Sequence, residues 1–241
     1  MARINAQNQD YRDLNNLIRS CGEDTIELDG VMGQRFIACG MSGKHFRVNG
    51  VPGNAMGAYL NGSDIEVFEN AQDAVGDTMN AGCIVVHGSI GDAAGYAMRG
   101  GEIYVRGNAG YRAGIHMKEY KEKKPVIVIG GRAGSFLGEY QAGGLILVLG
   151  LHTDGKPIIG DFPCTGMHGG KMVCRGAADG VRFPERTRRR SATSEDMEEI
   201  APYLTRFCGF FGLDRETLLS GEYTVITPDS KNPYKQMYAA N

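Results

Sequence analysis

Between residues 53 and 150 the hydrophobic and polar positions fall into one recurring order. A turn is followed by a small-residue corner with a glycine, a glycine-containing bend, a three-residue apolar strand and a closing glycine. The unit is clearest in Asn70–Gly88, NAQDAVGDTMNAGCIVVHG, and recurs directly in Ser89–Gly107, SIGDAAGYAMRGGEIYVRG. With the first strand residue as marker, the series runs Ile26, Phe46, Ile65, Ile84, Ile103, Val126, Ile146 and Met172. Its spacings are 20, 19, 19, 19, 23, 20 and 26. Four positions after each marker stand Gly30, Gly50, Glu69, Gly88, Gly107, Gly130, Gly150 and Gly176. A second glycine column, eight before the marker, holds Gly57, Gly76 and Gly95 and, after an insertion within Lys118–Lys124, Gly114 and Gly138. A fixed period of about 20 residues is the mark of a repeat architecture.

Within each unit the strand alternates, as in Ile65/Val67, Ile84/Val86, Ile103/Val105, Val126/Val128 and Ile146/Val148, and a period of two belongs to strands. No unit has room for a helix of about 10–12 residues. The pattern therefore predicts an all-β solenoid, a parallel β-helix of about eight coils of roughly 19–20 residues, with glycine at the corners because a Cβ would clash there. The middle strand residues read Glu27, Arg47 and Glu66, then Val85, Tyr104, Ile127, Leu147 and Val173. The outer face is thus polar over three coils and apolar over five. Such a stripe needs a cover, either the chain's own Ile200–Phe211 segment or another protein.

The flanks differ from the repeat, and the expected division is 1–25 as an N-terminal helical cap, 26–181 as the β-helix and 182–241 as a helical segment and tail. Tyr11, Leu14 and Ile18 in residues 9–21 fit a short amphipathic helix over the first coil. Arg182–Arg190, RFPERTRRR, carries Arg182, Arg186, Arg188, Arg189 and Arg190, a solvated face or linker, or a seat for an acidic partner surface or a phosphate. Thr193-Ser-Glu-Asp196 reads as a helix start. Ile200, Leu204, Phe207 and Phe211 follow on one side, with Pro202 kinking or delaying the helix. Asp214–Ser220 reads as a second short helix and Tyr223–Ile226 as a strand. The tail Pro228–Asn241 is too polar to fold alone.

Composition narrows the function. The 241 residues carry 36 Gly, no Trp and a net charge of −2, which argues against a nucleic-acid or membrane-surface role. No apolar run approaches the roughly 18 residues that a membrane-spanning helix needs. MARINAQNQDYRD lacks a signal-peptide core, so a cytoplasmic protein is expected. Cys21, Cys39, Cys83, Cys164, Cys174 and Cys208 are scattered without a C-x-x-C, which fits buried reduced thiols better than a metal or iron–sulfur site.

Three other features invite a chemical reading. The stretch 151–171 gathers His152, Asp154, Asp161, Cys164 and His168, ligand types without tight spacing, and a surface loop is the plain reading. Gly88-Ser-Ile-Gly91 and Gly130-Gly-Arg-Ala-Gly134 each follow a strand as a dinucleotide loop would, but no helix follows and the repeat accounts for the glycines. Asp73 and Asp92 stand one period apart, with Asn54 and Tyr111 in the same column. Stacked acids can serve acid–base chemistry, although a solvated turn is the simpler setting.

Gly-Asp-Ala-Ala-Gly at 91–95, Gly-Gly-Glu-Ile-Tyr-Val-Arg-Gly at 100–107 and Gly-Asn-Ala-Gly at 107–110 resemble the GXGXG domain that ends the large subunit of glutamate synthase. A subunit of formylmethanofuran dehydrogenase carries the same type of domain. The resemblance covers roughly residues 26–176 and implies a right-handed β-helix without catalytic residues of its own. It implies a non-catalytic scaffold subunit of an oxidoreductase complex for glutamate biosynthesis, which moves the amide nitrogen of glutamine to 2-oxoglutarate. The expected partners are a glutaminase (amidotransferase) and an FMN-binding synthase subunit, with FMN and iron–sulfur in those partners and no cofactor, metal or catalytic residue in this chain. The chain has no N-terminal nucleophilic Cys, flavin barrel or cysteine cluster. A homo-oligomer formed through the ends of the stack, a scaffold in a formylmethanofuran dehydrogenase-like complex and an independent β-helix carbohydrate-active enzyme stand as alternatives.

Overall fold

Each alternating segment forms a strand, and consecutive strands lie side by side because every connection returns the chain by one strand spacing. The computed structural model describes residues 1–229. Strands β1 (Ala2–Asn5), β2 (Thr25–Met32), β3 (His45–Val51), β4 (Asn61–Val67), β5 (Ala81–Val86), β6 (Glu102–Val105), β7 (Val126–Ile129), β8 (Ala142–Val148) and β9 (Gly169–Arg175) pair in parallel in chain order. Strands β10 (Thr187–Ser191) and β11 (Tyr223–Pro228) then close the order as β9-β11-β10 with two antiparallel pairings.

The expected all-β solenoid, a right-handed β-helix of about eight coils, is corrected here. Among the described residues the regular strands make one eleven-stranded mixed sheet, mostly parallel, open at edges β1 and β10. The helices are also more than minor flanking elements, since α2 (Ser194–Phe211) has 18 residues beside α1 (Tyr11–Ser20) and α3 (Arg215–Leu219). The physical reason is that β1, β10 and β11 lie outside the repeat, and their sequences (ARIN, TRRRS, YTVITP) carry no glycine corner to reveal the pairing.

The register holds a second correction. Ile103 stands opposite Ile127 and Tyr104 opposite Val128, so the marker is Ile127 and the outward residue Val128. The insertion within Lys118–Lys124 is one residue longer than the Val126 marker implies, in step with the 24 residues from Gly114 to Gly138. A slip of one residue swaps the faces of a strand, and Val126–Ile129 is apolar on both, so alternation alone cannot fix it.

Two apolar cores result. The inner sheet face, including Ile26, Ile65, Ile84, Ile103, Ile127, Ile146 and Met172, packs with Met56, Met79, Met98, Ala113 and Leu137 from the returning turns. Those turns are bonded to one another as well, through single parallel bridges along Ala71, Ile90, Ala109, Ala133 and Ile159. The outer face from Val85 through Tyr104, Val128, Leu147 and Val173 to Val225 packs with Ile200, Leu204, Phe207 and Phe211. The chain's own helix therefore covers the apolar stripe.

Helix boundaries follow local chemistry. The Asp10 carboxylate accepts from the Arg12 N–H at 2.8 Å and starts α1, whose Leu14 and Ile18 are buried. Thr193 and Asp196 form a reciprocal capping box at α2, which runs through Pro202 and ends at Gly212 with φ +64°. Asp214 caps α3. Of the polar tail from Pro228, the residues past Asp229 lie outside the described residues.

Candidate functional site

The corner glycines have two distinct physical jobs. Gly57, Gly76, Gly95, Gly114 and Gly138 all adopt φ between +64° and +69°. A Cβ on Gly57, Gly76, Gly95 or Gly114 would come within 2.5–2.7 Å of the Cδ1 of Ile84, Ile103, Ile127 or Ile146, and one on Gly138 within 3.0 Å of Met172 Cε. These glycines let the turn lie flat on the inner isoleucine column. Gly88, Gly107, Gly130 and Gly150 sit at strand exits, where a Cβ at Gly88 would meet Asn70 Oδ1 at 2.3 Å and one at Gly107 would meet Ser89 Oγ at 2.4 Å. With the corrected register, Gly131 takes the place given to Gly130 in that column and faces Asn108 Oδ1 at 2.2 Å. Gly130 instead presses against Arg106 O and Phe207 Cζ, at 2.3 and 2.8 Å.

Those crowding oxygens belong to two side-chain ladders. In the first, Asn70, Ser89 and Asn108 accept from the backbone N–H of Ser89, Asn108 and Arg132 at 2.7, 3.0 and 2.7 Å. In the second, Asn54 accepts from Asp73 N–H at 3.4 Å, Asp73 from Asp92 N–H at 2.9 Å, and Asp92 from Tyr111 N–H at 2.8 Å. Asp73 and Asp92 thus satisfy backbone donors of the next repeat. Gly91 and Gly110 leave the room these carboxylates need.

The 151–171 stretch does not converge. Among the described residues no group of three or more His, Cys, Asp or Glu could hold a metal. Cys164 is buried against Met172, with its sulfur 3.6 Å from the thioether, and burial pushes its thiol well above the usual range. His168 contacts the Gly166 carbonyl. In another ladder on the outer face, His45 Nδ1 lies 3.2 Å from Asp64 Oδ2, next to Cys83, but burial pushes that thiol up to about 12, unlike a poised nucleophile.

Of the arginine run, Arg188, Arg189 and Arg190 form an edge strand, and Arg182 and Arg186 lie in the segment before it. Thr187–Ser191 pairs with β11, with Arg188 and Arg189 exposed, while Arg190 binds the buried Asp196. Asp196 also takes Lys171 Nζ at 2.8 Å, and Lys171 and Lys124 both bind Glu199. Arg190, Lys171 and the Thr193 donors hold the Asp196 carboxyl well below the ordinary carboxylate range against the opposing effect of burial. This network fastens the first turns of α2 to β9, β10 and the approach to β7. Arg206 at its other end binds Glu102 at 2.6 Å, and Tyr104, whose hydroxyl donates to Glu102, is pushed well up by burial.

The feature that sequence reasoning missed lies on the turns. In each repeat, alternate turn residues adopt positive φ. Two repeats place only Ala, Gly or Thr there (Ala74 and Thr78, Ala93 and Ala97), two earlier ones carry a single aromatic, Phe36 or Tyr59, and the later ones carry Arg112, His116, Phe136, Tyr140 and Phe162 with φ between +53° and +60°. With Tyr96 and Tyr111, which are not at positive φ, the rings form two chains across the repeats. Tyr111, Phe136 and Phe162 follow with ring centroids 5.2 Å apart at each step, and Tyr96, His116 and Tyr140 at 5.9 and 5.1 Å. Between them Arg112 lies over the Tyr111 and Phe136 rings, at 4.7 and 5.3 Å, and binds the buried Glu139 at 2.7 Å. An open recess of about 600 Å³, lined by His116, Lys118, Glu119, Tyr140 and His168, adjoins the second chain. The signal was present in sequence as bulky residues at positions that other repeats fill with small ones.

Against known proteins, the family model described as GXGXG motif matches residues 3–228. The uncharacterized protein MJ1350 of Methanocaldococcus jannaschii is 45% identical over 248 residues, covering 98% of this chain and 95% of that protein. No helix among the described residues is long and apolar enough to cross a membrane.

Proposed function

Because the chain belongs to the GXGXG motif family over residues 3–228, we propose that it is a non-catalytic scaffold subunit of a glutamate synthase-type enzyme, which transfers the amide nitrogen of glutamine to 2-oxoglutarate. The observation that carries the reading is the family match across nearly the whole of a 241-residue chain. In this reading the catalytic parts of the complex are separate polypeptides. FMN and iron–sulfur centres belong, in this reading, to a glutaminase chain and an FMN-binding synthase chain.

The residues agree with a supporting role. Asp73 and Asp92 are engaged with backbone N–H groups, Cys83 and Cys164 are held protonated by burial, and Asp196 and Glu199 pin a helix. Each repeat bonds to the next both along the strands and at the turns, for example Gly95 N–H to Val75 O and Gly114 N–H to Ala94 O, both at 2.8 Å. A structure braced in this way suits holding two modules at a fixed separation.

Native co-purification of the chain from its own cells, with mass spectrometry and a visible spectrum, tests the reading. Recovery of glutaminase-like and synthase-like chains with flavin absorption is expected. A molybdenum- or tungsten-containing assembly would move the chain to a formylmethanofuran dehydrogenase-like complex, and a colourless chain alone would remove the scaffold role.

A further inference from the structure

We propose that the turn face built by Tyr96, Tyr111, His116, Phe136, Tyr140 and Phe162 around Arg112 is the surface that binds a catalytic chain of the complex. That partner would present an apolar surface with a carboxylate over Arg112. The claim rests on the scaffold reading above.

Strain is the first argument. A side chain in the left-handed region costs about 1–2 kcal/mol per residue, and small residues or Asn carry it most cheaply. Folding alone favours the choice made at Ala55, Ala74 and Ala93. The later repeats place Phe136 and Phe162 at that turn position instead, with Phe162 61% exposed. A large aromatic that is both strained and wet stabilises the isolated chain little. The ring neighbour of Phe162 is Phe136 at 5.2 Å, a half-buried ring at the same strained turn position of the preceding repeat.

The surface chemistry is the second argument. Tyr96, Tyr111 and Tyr140 are 42%, 37% and 38% exposed. With Phe162 they leave roughly 350 Å² of aromatic surface in one place. Tyrosine and arginine are the residue types that anchor protein contacts, and a desolvated centre is where they act. The other apolar face is already sealed by α2.

Size and charge choose the occupant. A stable contact buries about 800 Å² per partner, so this patch is the centre of a larger footprint, the scale of a folded protein. Arg112 commits its Nε to Glu139 and keeps a side chain that is 41% exposed, leaving terminal N–H groups for an external acceptor. A two-fold contact through the same patch would set Arg112, at its centre, near its own copy.

The test uses the full chain, tagged in its own cells. Phe162→Asn with Tyr140→Asn removes two rings at φ +57° and +53°, positions where asparagine relieves strain, so the melting temperature stays equal or rises. Arg112→Gln is the second variant, and Arg188→Glu on β10 is the control. The expected result is flavin absorbance and catalytic chains retained by wild type and control but reduced at least tenfold in the double variant, with a smaller loss for Arg112→Gln. Full retention by the double variant would overturn this proposal and leave the scaffold reading standing. A wild-type chain that recovers no catalytic partner overturns both, whether it migrates as a monomer or as a homodimer that the double variant disperses.

Discussion

At single positions the repeat sets different costs for the same change. Gly82 has φ +103°, and a Cβ there would stand 2.1 Å from the Ser63 carbonyl oxygen, backbone that cannot step aside. Gly40 has φ +70° with nothing within 4 Å. Gly82→Ala should therefore cost about 3 kcal/mol or more from overpacking plus strain, and Gly40→Ala only about 1–2 kcal/mol, read as midpoints of urea unfolding. Gly95→Ala belongs between them, because Ile127 Cδ1, 2.5 Å from the added carbon, can rotate away. The acids give a second contrast. Asp92→Asn keeps an oxygen for the Tyr111 N–H and should match wild type, whereas Asp92→Ala should lose about 1 kcal/mol. The glycine column and its exclusion of a Cβ were legible because the period repeats them, but the atoms that a Cβ would strike were not. The isoleucine that crowds Gly57 most is not Ile65 of its own repeat, at 3.2 Å, but Ile84 of the next, at 2.7 Å, and only the folded chain brings those two together.

Among the elements, α2 was readable from its ends. Thr193 with Asp196 three residues on, and Ile200, Leu204, Phe207 and Phe211 on one side, specify a capped amphipathic helix, and the apolar run of outward strand residues specifies where it docks. The register of β7 was not readable, since both its faces are apolar. Nor was the double use of Asp196, whose partners Lys171 and Arg190 come from β9 and β10. That carboxyl is depressed in the folded state, so its contribution is fully present above the ordinary carboxylate range and is lost as pH falls below about 4. Asp196→Asn should cost roughly 2 kcal/mol at pH 7, the scale of hydrogen bonds to a buried charge. The difference from wild type should shrink steadily below pH 4 in chemical denaturation, and a deficit independent of pH would mean that capping rather than charge dominates.

For the whole molecule the open question is how an unclosed sheet avoids growing. Among the described residues its two edges are β1 and β10, and each could accept a strand from another copy. At β1 the exposed Arg3 pairs with Asp29 of β2. At β10 the device is stronger. Arg189 stands opposite Ile226, a member of the inner core, and Arg188 opposite Thr227. One arginine thus occupies the edge where the apolar inner column would otherwise continue, and a neighbouring strand could pair there only by covering that charge. Charged residues on an edge strand are a general defence against such pairing. Arg188 and Arg189, part of a run whose sequence fits a solvated face, a linker or a seat for an acidic partner or phosphate, thus stand as a stop at the end of the sheet. Arg188→Thr with Arg189→Val restores a β-forming, alternating edge and should give concentration-dependent association in light scattering at neutral pH, with the monomer fold retained by circular dichroism. Arg188→Lys with Arg189→Lys keeps the charge and should remain dispersed. If both double variants stayed monomeric at the highest soluble concentration, the arginines would not be what keeps this edge from pairing.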